Sequence, residues 1–421
     1  MYNTQIHKNH VDISKPLLQR FLEYVTKDTQ SNSENADKGI IPSTEKQRNF
    51  SLSLYNELQN LGISDLTLTQ DNYLCGRLPA TQGYETVPAI ALLAHIDTAE
   101  DVSGNNVKPL LHEDYDGKAI QLPFGVVIPQ DEYLQQAQGD TLITSSGDTL
   151  LGADDKAGVS AIITTLEYFI KHPEIPHGTI ECMFSPDEET GHGMDKVPFD
   201  WFTAKQAYTV DGGDIGEIES ECFNAWKSEI TFVGRAKHTG YAKGFLVNAI
   251  TMASNFVASL PFAESPENTE GYEGFYAPIK MEGHIEEATV SLLLRDFSLE
   301  NMKNRMQTIN TLAKNIEQQF SGGKVQVVHT QQYLNMKDSI AQNPLVMENL
   351  LKAVKNVGIE PVSKPIRGGT DGSRLTEMGL PCPNIFAGGH NFHSRTEWAS
   401  LAQMTYSVLT LIELIKIWSQ T

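Results

Sequence analysis

The chain has only four cysteines in 421 residues (Cys75, Cys182, Cys222 and Cys382), and none belongs to a Cys-x-x-Cys pair. That excludes a disulfide framework and a thiolate metal site, and suits reduced, buried thiols. Any metal must therefore be held by His and carboxylates. Long apolar runs are missing as well: nothing approaches the about 18 residues that a spanning helix needs. The opening stretch MYNTQIHKNHVDISKPLLQ lacks the apolar centre of a secretory signal, so a cytoplasmic protein is expected. Positive charge is scarce, with 32 Lys and Arg against 53 Asp and Glu and a formal net charge of −21. A surface of that sign repels phosphate backbones and anionic lipid, which argues against nucleic-acid and membrane partners. No internal repeat or low-complexity tract is present.

What remains is an ordinary globular composition over a length that allows two or three domains. Apolar spacing predicts helices over 17–26 and 44–62, a strand over 87–93, a helix over 156–170, and strands over 179–184 and 206–210. This alternation suggests an α/β layer fold. The texture changes near Cys222. Strands over 226–233, 275–280, 288–296 and 324–330, with helices over 248–260 and 299–320, follow the order β-α-β-β-α-β. That is a ferredoxin-like plan, expected as an inserted domain over 222–337. Residues 1–221 and 338–421 are then the two parts of the other domain. Its second part carries helices over 345–357 and 401–418 and a strand over 383–387.

Five places put His, Asp or Glu at the end of an expected strand or the start of a helix, where open α/β sheets bind ligands. In Ala94-His95-Ile96-Asp97, residues two apart share a face of extended chain, so His95 can ligate a metal while Asp97 orients its ring. Gly152-Ala153-Asp154-Asp155-Lys156 opens a helix. Asp155 reads as a helix cap, and Asp154, with two oxygens, can bridge two metals. Asp187-Glu188-Glu189 follows a strand, and adjacent side chains point apart. One of these glutamates can bind metal while the other takes a proton from metal-bound water. Asp211, at the end of 206–210, reads as a turn former or a ligand. In Gly388-Gly389-His390-Asn391-Phe392-His393, one histidine is a ligand candidate, and spacing does not choose between His390 and His393.

This set of imidazoles and carboxylates suits Zn²⁺, Co²⁺ or Mn²⁺. Two divalent ions bring a charge of about +4 and three ligating carboxylates (Asp154, Glu189, Asp211) about −3. The surplus favours a bound hydroxide near neutral pH. Glu188, left unligated, can then act as general base and acid.

Together the segments HID, GADDKAG, SPDEETG, VDGGDIGE and the late Gly-Gly-x-x-x-His resemble the co-catalytic di-zinc exopeptidases and deacylases. The stretches TEGYEGFY (269–276) and RGGTDG (367–372) are similar to the peptidase T family within that group. The similarity runs from about Lys15 to the C-terminal helix. It implies a catalytic domain with a mixed sheet between helices and an inserted α+β lid. By the resemblance, His95 and Asp211 hold one zinc, Glu189 and His393 the other, and Asp154 bridges them, so each subunit carries two Zn²⁺, with Co²⁺ or Mn²⁺ as substitutes. Asp97 orients His95, Glu188 is the general base, and a cis peptide joins Asp154 to Asp155.

The resemblance also gives the lid a share in recognition. His238 matches a histidine that stabilises the oxyanion, in a His-Thr pair where the family has His-Pro. Arg295 and Arg367 match arginines that clamp a peptide carboxylate, and Asn224 belongs to the same set. The implied activity is release of the N-terminal residue from tripeptides by a hydroxide held between the zincs. A dipeptidase or carboxypeptidase of the same superfamily, or a non-catalytic peptide-binding scaffold, are the alternatives. The implied partners are a short peptide and, through the lid, a second copy of the chain.

Overall fold

The computed structural model describes residues 2–420. The chain divides into two compact units. One comprises the residues up to Ser220, Asp338–Lys364 and the chain from Thr370 onward; the other comprises Glu221–Lys337 with Pro365–Gly369.

The first unit is built on an eight-stranded sheet. Its order is Asp65–Leu68, Leu74–Leu78, Ile180–Ser185, Ile90–His95, Ala207–Gly212, Asn384–Phe386, Glu217–Glu219, Val362–Ser363. The four strands from Ile180–Ser185 to Asn384–Phe386 run parallel. Leu74–Leu78 runs antiparallel to both its neighbours and Glu217–Glu219 runs antiparallel to Asn384–Phe386, so the sheet is mixed. Every residue of Ile90–His95 and of Ile180–Ser185 is buried, as expected for parallel strands covered on both faces. Alternate side chains feed two cores. Ile90, Leu92 and Ala94 join the helices Val11–Tyr24, Ala153–Lys171 and Leu401–Trp418 on one face. Ala91 and Leu93 join Tyr73, Met183 and Leu375 on the other.

Ala153–Lys171 lies unusually close to the sheet, and Gly158 makes that possible. A Cβ there would fall 1.9 Å from the Val210 carbonyl oxygen and 2.5 Å from Asp155 Oδ1. Neither neighbour can yield, because one is sheet backbone and the other holds the His95 amide. We expect Gly158→Ala to cost about 3 kcal/mol or more, the upper end of overpacking losses. A denaturant or thermal melt checks this, and an unshifted transition would contradict the packing described.

The second unit is a four-stranded antiparallel sheet in the order Phe275–Gly283, Glu287–Asp296, Asn224–Val233, Lys324–Tyr333. Its inward residues Ile230, Phe232, Val290, Leu292 and Leu294 pack with Met252 and Phe256 of helix Ala249–Ala258 and with Met302 and Ile309 of helix Leu299–Gln319. The chain order β-α-β-β-α-β is the one the spacing predicts.

Some elements escape the spacing. Leu74–Leu78 contains Gly76 and Arg77 and shows no alternation. A second sheet in the first unit, in the order Gly389–His390, Trp398–Ser400, Leu142–Thr144, Leu110–His112, has strands of two or three residues, too short to carry a period. All four cysteines are buried. No described helix is long and apolar enough to cross a membrane.

Candidate metal centre and active site

Parallel neighbours end together, so the carboxyl ends of the central strands form one rim. His95 is the last residue of its strand and lies level with Ser185, the last residue of the adjacent one. Asp211 sits at the end of Ala207–Gly212. Glu188 and Glu189 lie in a short turn, Glu188–Thr190, just beyond Ser185. Asp154 is the second residue of Ala153–Lys171, which follows Gly152 in the left-handed region (φ 83°). His393 lies between the strands Gly389–His390 and Trp398–Ser400.

The five side chains converge. His95 Nε2 is 2.8 Å from Asp154 Oδ1 and 3.5 Å from Asp211 Oδ1. His393 Nε2 is 2.9 Å from Glu189 Oε2 and 3.4 Å from Asp154 Oδ2. Asp154 thus turns one oxygen to each histidine. The result is two three-residue clusters, His95–Asp154–Asp211 and Asp154–Glu189–His393, whose potential ligand atoms lie within 4.8 Å of one another in each. The Asp154–Asp155 peptide bond is cis.

The donor set fits a pair of divalent cations. Imidazole and carboxylate suit such ions without any thiol. The acidic groups are crowded and removed from water, and the cations nearest them are the two imidazoles. Glu189 Oε1 is buried with no hydrogen-bond partner, although a buried carboxylate oxygen is rarely left so. Burial and the neighbouring Asp154 push Glu189 up to about 8, and burial pushes Asp211 up to about 6. Glu188 is raised well above the usual carboxylate range by burial, with Asp211, Asp371 and Glu189 adding to it. Hydrogen bonds to the Asp154 and Glu189 carboxylates raise His393 to about 11. Burial alone would lower His95, but Asp211, Asp154 and Asp97 carry it well above its ordinary value. Burial would likewise raise Asp154, yet His393 and His95 hold it below. These are the directions expected where protons stand in for missing positive charge, a role that divalent ions fill better.

Buried acids fix the loops that carry these groups. Asp97 Oδ1 lies 3.3 Å from His95 Nδ1, and Asp97 also accepts the main-chain N–H groups of Glu188 (3.0 Å) and Glu189 (3.2 Å). It therefore faces the ring and anchors the glutamate turn at once. Asp155 accepts the N–H of Gly158 at 3.1 Å, as a cap does, and that of His95 at 3.3 Å. Asp187 (φ 56°) accepts the Ser43 amide at 2.7 Å and the Gln47 side-chain amide at 2.6 Å.

Spacing alone leaves His390 and His393 undecided and the resemblance favours His393; the structure brings His393, not His390, to the other donors. His390 stacks on Trp398 with ring centroids 3.9 Å apart and meets Gln403 Oε1 at 3.1 Å. Burial lowers it to about 4. Three groups have no role in the sequence reading: Asp187, Asp371 and Glu397. Asp371 is buried beside the rim, where it accepts the Ser185 hydroxyl. Its signal is faint, an acid inside the RGGTDG stretch at the start of a short helix.

The remaining expected residues belong to the second unit. His238 is exposed, and its Nδ1 accepts the Gly240 amide at 3.2 Å. Arg295 lies over the Tyr333 ring and donates to the Leu294 and Trp226 carbonyls at 2.9 and 3.3 Å. Arg367 donates to the carbonyls of Gly271 and Glu273, each at 2.8 Å, and to the Thr269 hydroxyl at 2.9 Å. Asn224 is buried, donates to the Asp296 and Phe297 carbonyls and accepts the Asn335 amide. Both ends of its amide are engaged within this unit.

The sequence pattern of peptidase family M20/M25/M40 matches residues 152–417, from the Asp154 turn to the C-terminal helix. The chain belongs to this family. It is 43% identical over 408 residues to a protein named peptidase T from Clostridium perfringens, a match that covers 96% of this chain and all of the other. A solved tripeptidase from Staphylococcus aureus shares the fold, with a TM-score of 0.77 at 22% identity over 97% of this chain and 99% of that one. A solved dinuclear metal-binding peptidase of the M20 family from Bacillus subtilis does so too, with a TM-score of 0.64 at 15% identity over 97% of this chain and 99% of that one. As a member of family M20/M25/M40 the chain is a peptidase, and its mixed-sheet unit carries an inserted α+β unit.

Proposed function

We propose that this peptidase is a metal-dependent aminopeptidase that releases the N-terminal residue of tripeptides. The observation that carries it is the pair of ligand clusters sharing Asp154, with Glu188 beside them and outside both. The M20/M25/M40 match and the 43% identity to a peptidase T favour this reading over other peptide hydrolases. His95, Asp154 and Asp211 would hold one Zn²⁺, and Asp154, Glu189 and His393 the other. Bound there, the ions would supply Lewis acidity to the scissile carbonyl.

The chain's own residues do the rest. Asp97 keeps the His95 ring aimed and the glutamate turn in place. Glu188 takes the proton of the attacking water and gives it to the leaving amine. His238 would face the carbonyl oxygen as negative charge develops, and Arg295 and Arg367 would recognise the peptide's carboxylate. Both arginines must then exchange backbone carbonyls for the substrate.

Hydrolysis of dipeptides, tripeptides and tetrapeptides, measured side by side with added Zn²⁺, Co²⁺ or Mn²⁺, tests the proposal. Tripeptides should be cleaved fastest, with the free N-terminal residue appearing first. Rapid cleavage of N-acetylated peptides would instead make the enzyme a carboxypeptidase or deacylase. Preference for dipeptides would make it a dipeptidase.

A further inference from the structure

The turn that carries Asp154 rests on a second acid. Glu397 is 1% exposed and accepts four consecutive main-chain N–H groups: Leu151 and Gly152 on Oε2 at 2.7 and 2.8 Å, and Ala153 and Asp154 on Oε1 at 2.7 and 3.2 Å. Backbone amides rarely converge in this way. Here they do so because Gly152 is left-handed and the next residues open a long helix, so successive N–H groups line a concave nest with positive potential. A carboxylate is the one side chain whose two oxygens can accept all four bonds without offering a competing donor. Glu397 meets the Asp154 turn through main-chain N–H groups, Asp154's own included, so it acts through the backbone.

The same residue belongs to the turn that carries the other shared-cluster histidine. Glu397 lies four positions after His393, and its own N–H meets the Ser394 carbonyl at 3.3 Å. Ser394 in turn closes the loop, its hydroxyl donating to the Asn391 carbonyl at 2.6 Å and accepting the Thr396 amide at 3.1 Å. The base of this loop is clamped by the pairing of His390 with Trp398. A single carboxylate thus staples the His393 turn to the Asp154 turn, two of the three side chains of one cluster, and the second of these turns serves both clusters.

We propose that Glu397 is a positioning residue for the metal pair, holding Asp154 where its two oxygens can be shared. The inference rests on the two-cation reading of the centre. Glu397→Gln keeps the shape but replaces one oxygen by an amide NH₂ that confronts two N–H donors. Glu397→Asp keeps the charge and draws it back from the nest. Glu181→Gln is the control. Glu181 is also fully buried and also accepts main-chain amides, those of Thr203 (3.0 Å) and Ala204 (3.2 Å), but it is the second residue of its strand, at the end away from the rim.

The experiment titrates each purified full-length protein, stripped of metal, with Co²⁺. Affinity, stoichiometry and visible absorption are read, together with the thermal melt of the metal-free form. Glu397→Gln should bind Co²⁺ about 10–100-fold more weakly with an altered spectrum, the size of loss seen when a partner outside the ligand set is removed. Glu397→Asp should fall between it and the parent. At saturating Co²⁺, kcat should drop while KM holds. Glu181→Gln should lower the melt with affinity and spectrum unchanged. Parent-like Co²⁺ binding by both Glu397 variants would overturn the inference. So would equal weakening by Glu181→Gln, since the effect would then track stability alone. Failure of the parent to take up two Co²⁺ would strike the two-cation reading itself, a different result from either.

Discussion

Glu188→Gln should lower kcat by about 10²–10⁴-fold, the range that a positioned proton carrier contributes. It should leave KM and the bound metal nearly unchanged. The side chain belongs to neither ligand cluster, so its loss removes no donor to the cations. Its main chain is tied to Asp97 at 3.0 Å, and the isosteric amide keeps that turn in place. Only the capacity to accept and return a proton is lost. Steady-state kinetics with a tripeptide, alongside metal content by mass spectrometry, decides the matter. A fully metallated variant with near-normal turnover would mean that another group carries the proton. Loss of metal along with activity would instead make Glu188 a ligand, contrary to the geometry.

Asp154→Ala should have the other large effect, and of a different kind. Asp154 sends Oδ1 toward His95 and Oδ2 toward His393, so its removal opens both clusters at once. The variant should fail to retain either ion after dialysis and should show no activity above background. Asp211→Ala, which opens one cluster, should keep the other ion. The readouts are metal content and the thermal shift on adding Zn²⁺, which grows with affinity through mass action. Retention of one ion at parental affinity would remove Asp154 as a bridge.

Much of the architecture was legible because its elements are long and periodic. Helix Leu401–Trp418 has the bounds its apolar spacing predicts, and the second unit follows the predicted strand order. The rim residues were legible for a related reason: buried strands announce themselves by apolar runs, and a His or acid directly after such a run stands out. The misses share a physical cause, which is that tertiary contact decides them. His390 is excluded by Trp398, eight positions away, through a hairpin whose strands are too short to show a pattern. Glu397 follows Arg395 and Thr396 and reads as one more surface charge until its four amide partners, some 245 positions earlier, are seen.

Asp97 has a consequence for how such a centre can change over time. One carboxylate faces the His95 ring and also fixes the backbone of Glu188 and Glu189. The aim of the His95 ring and the placement of Glu188 and Glu189 are therefore a single mechanical variable. A substitution there shifts all three together, so evolution has no small step at this position. Diversification toward new peptides is left to surfaces that can vary one residue at a time.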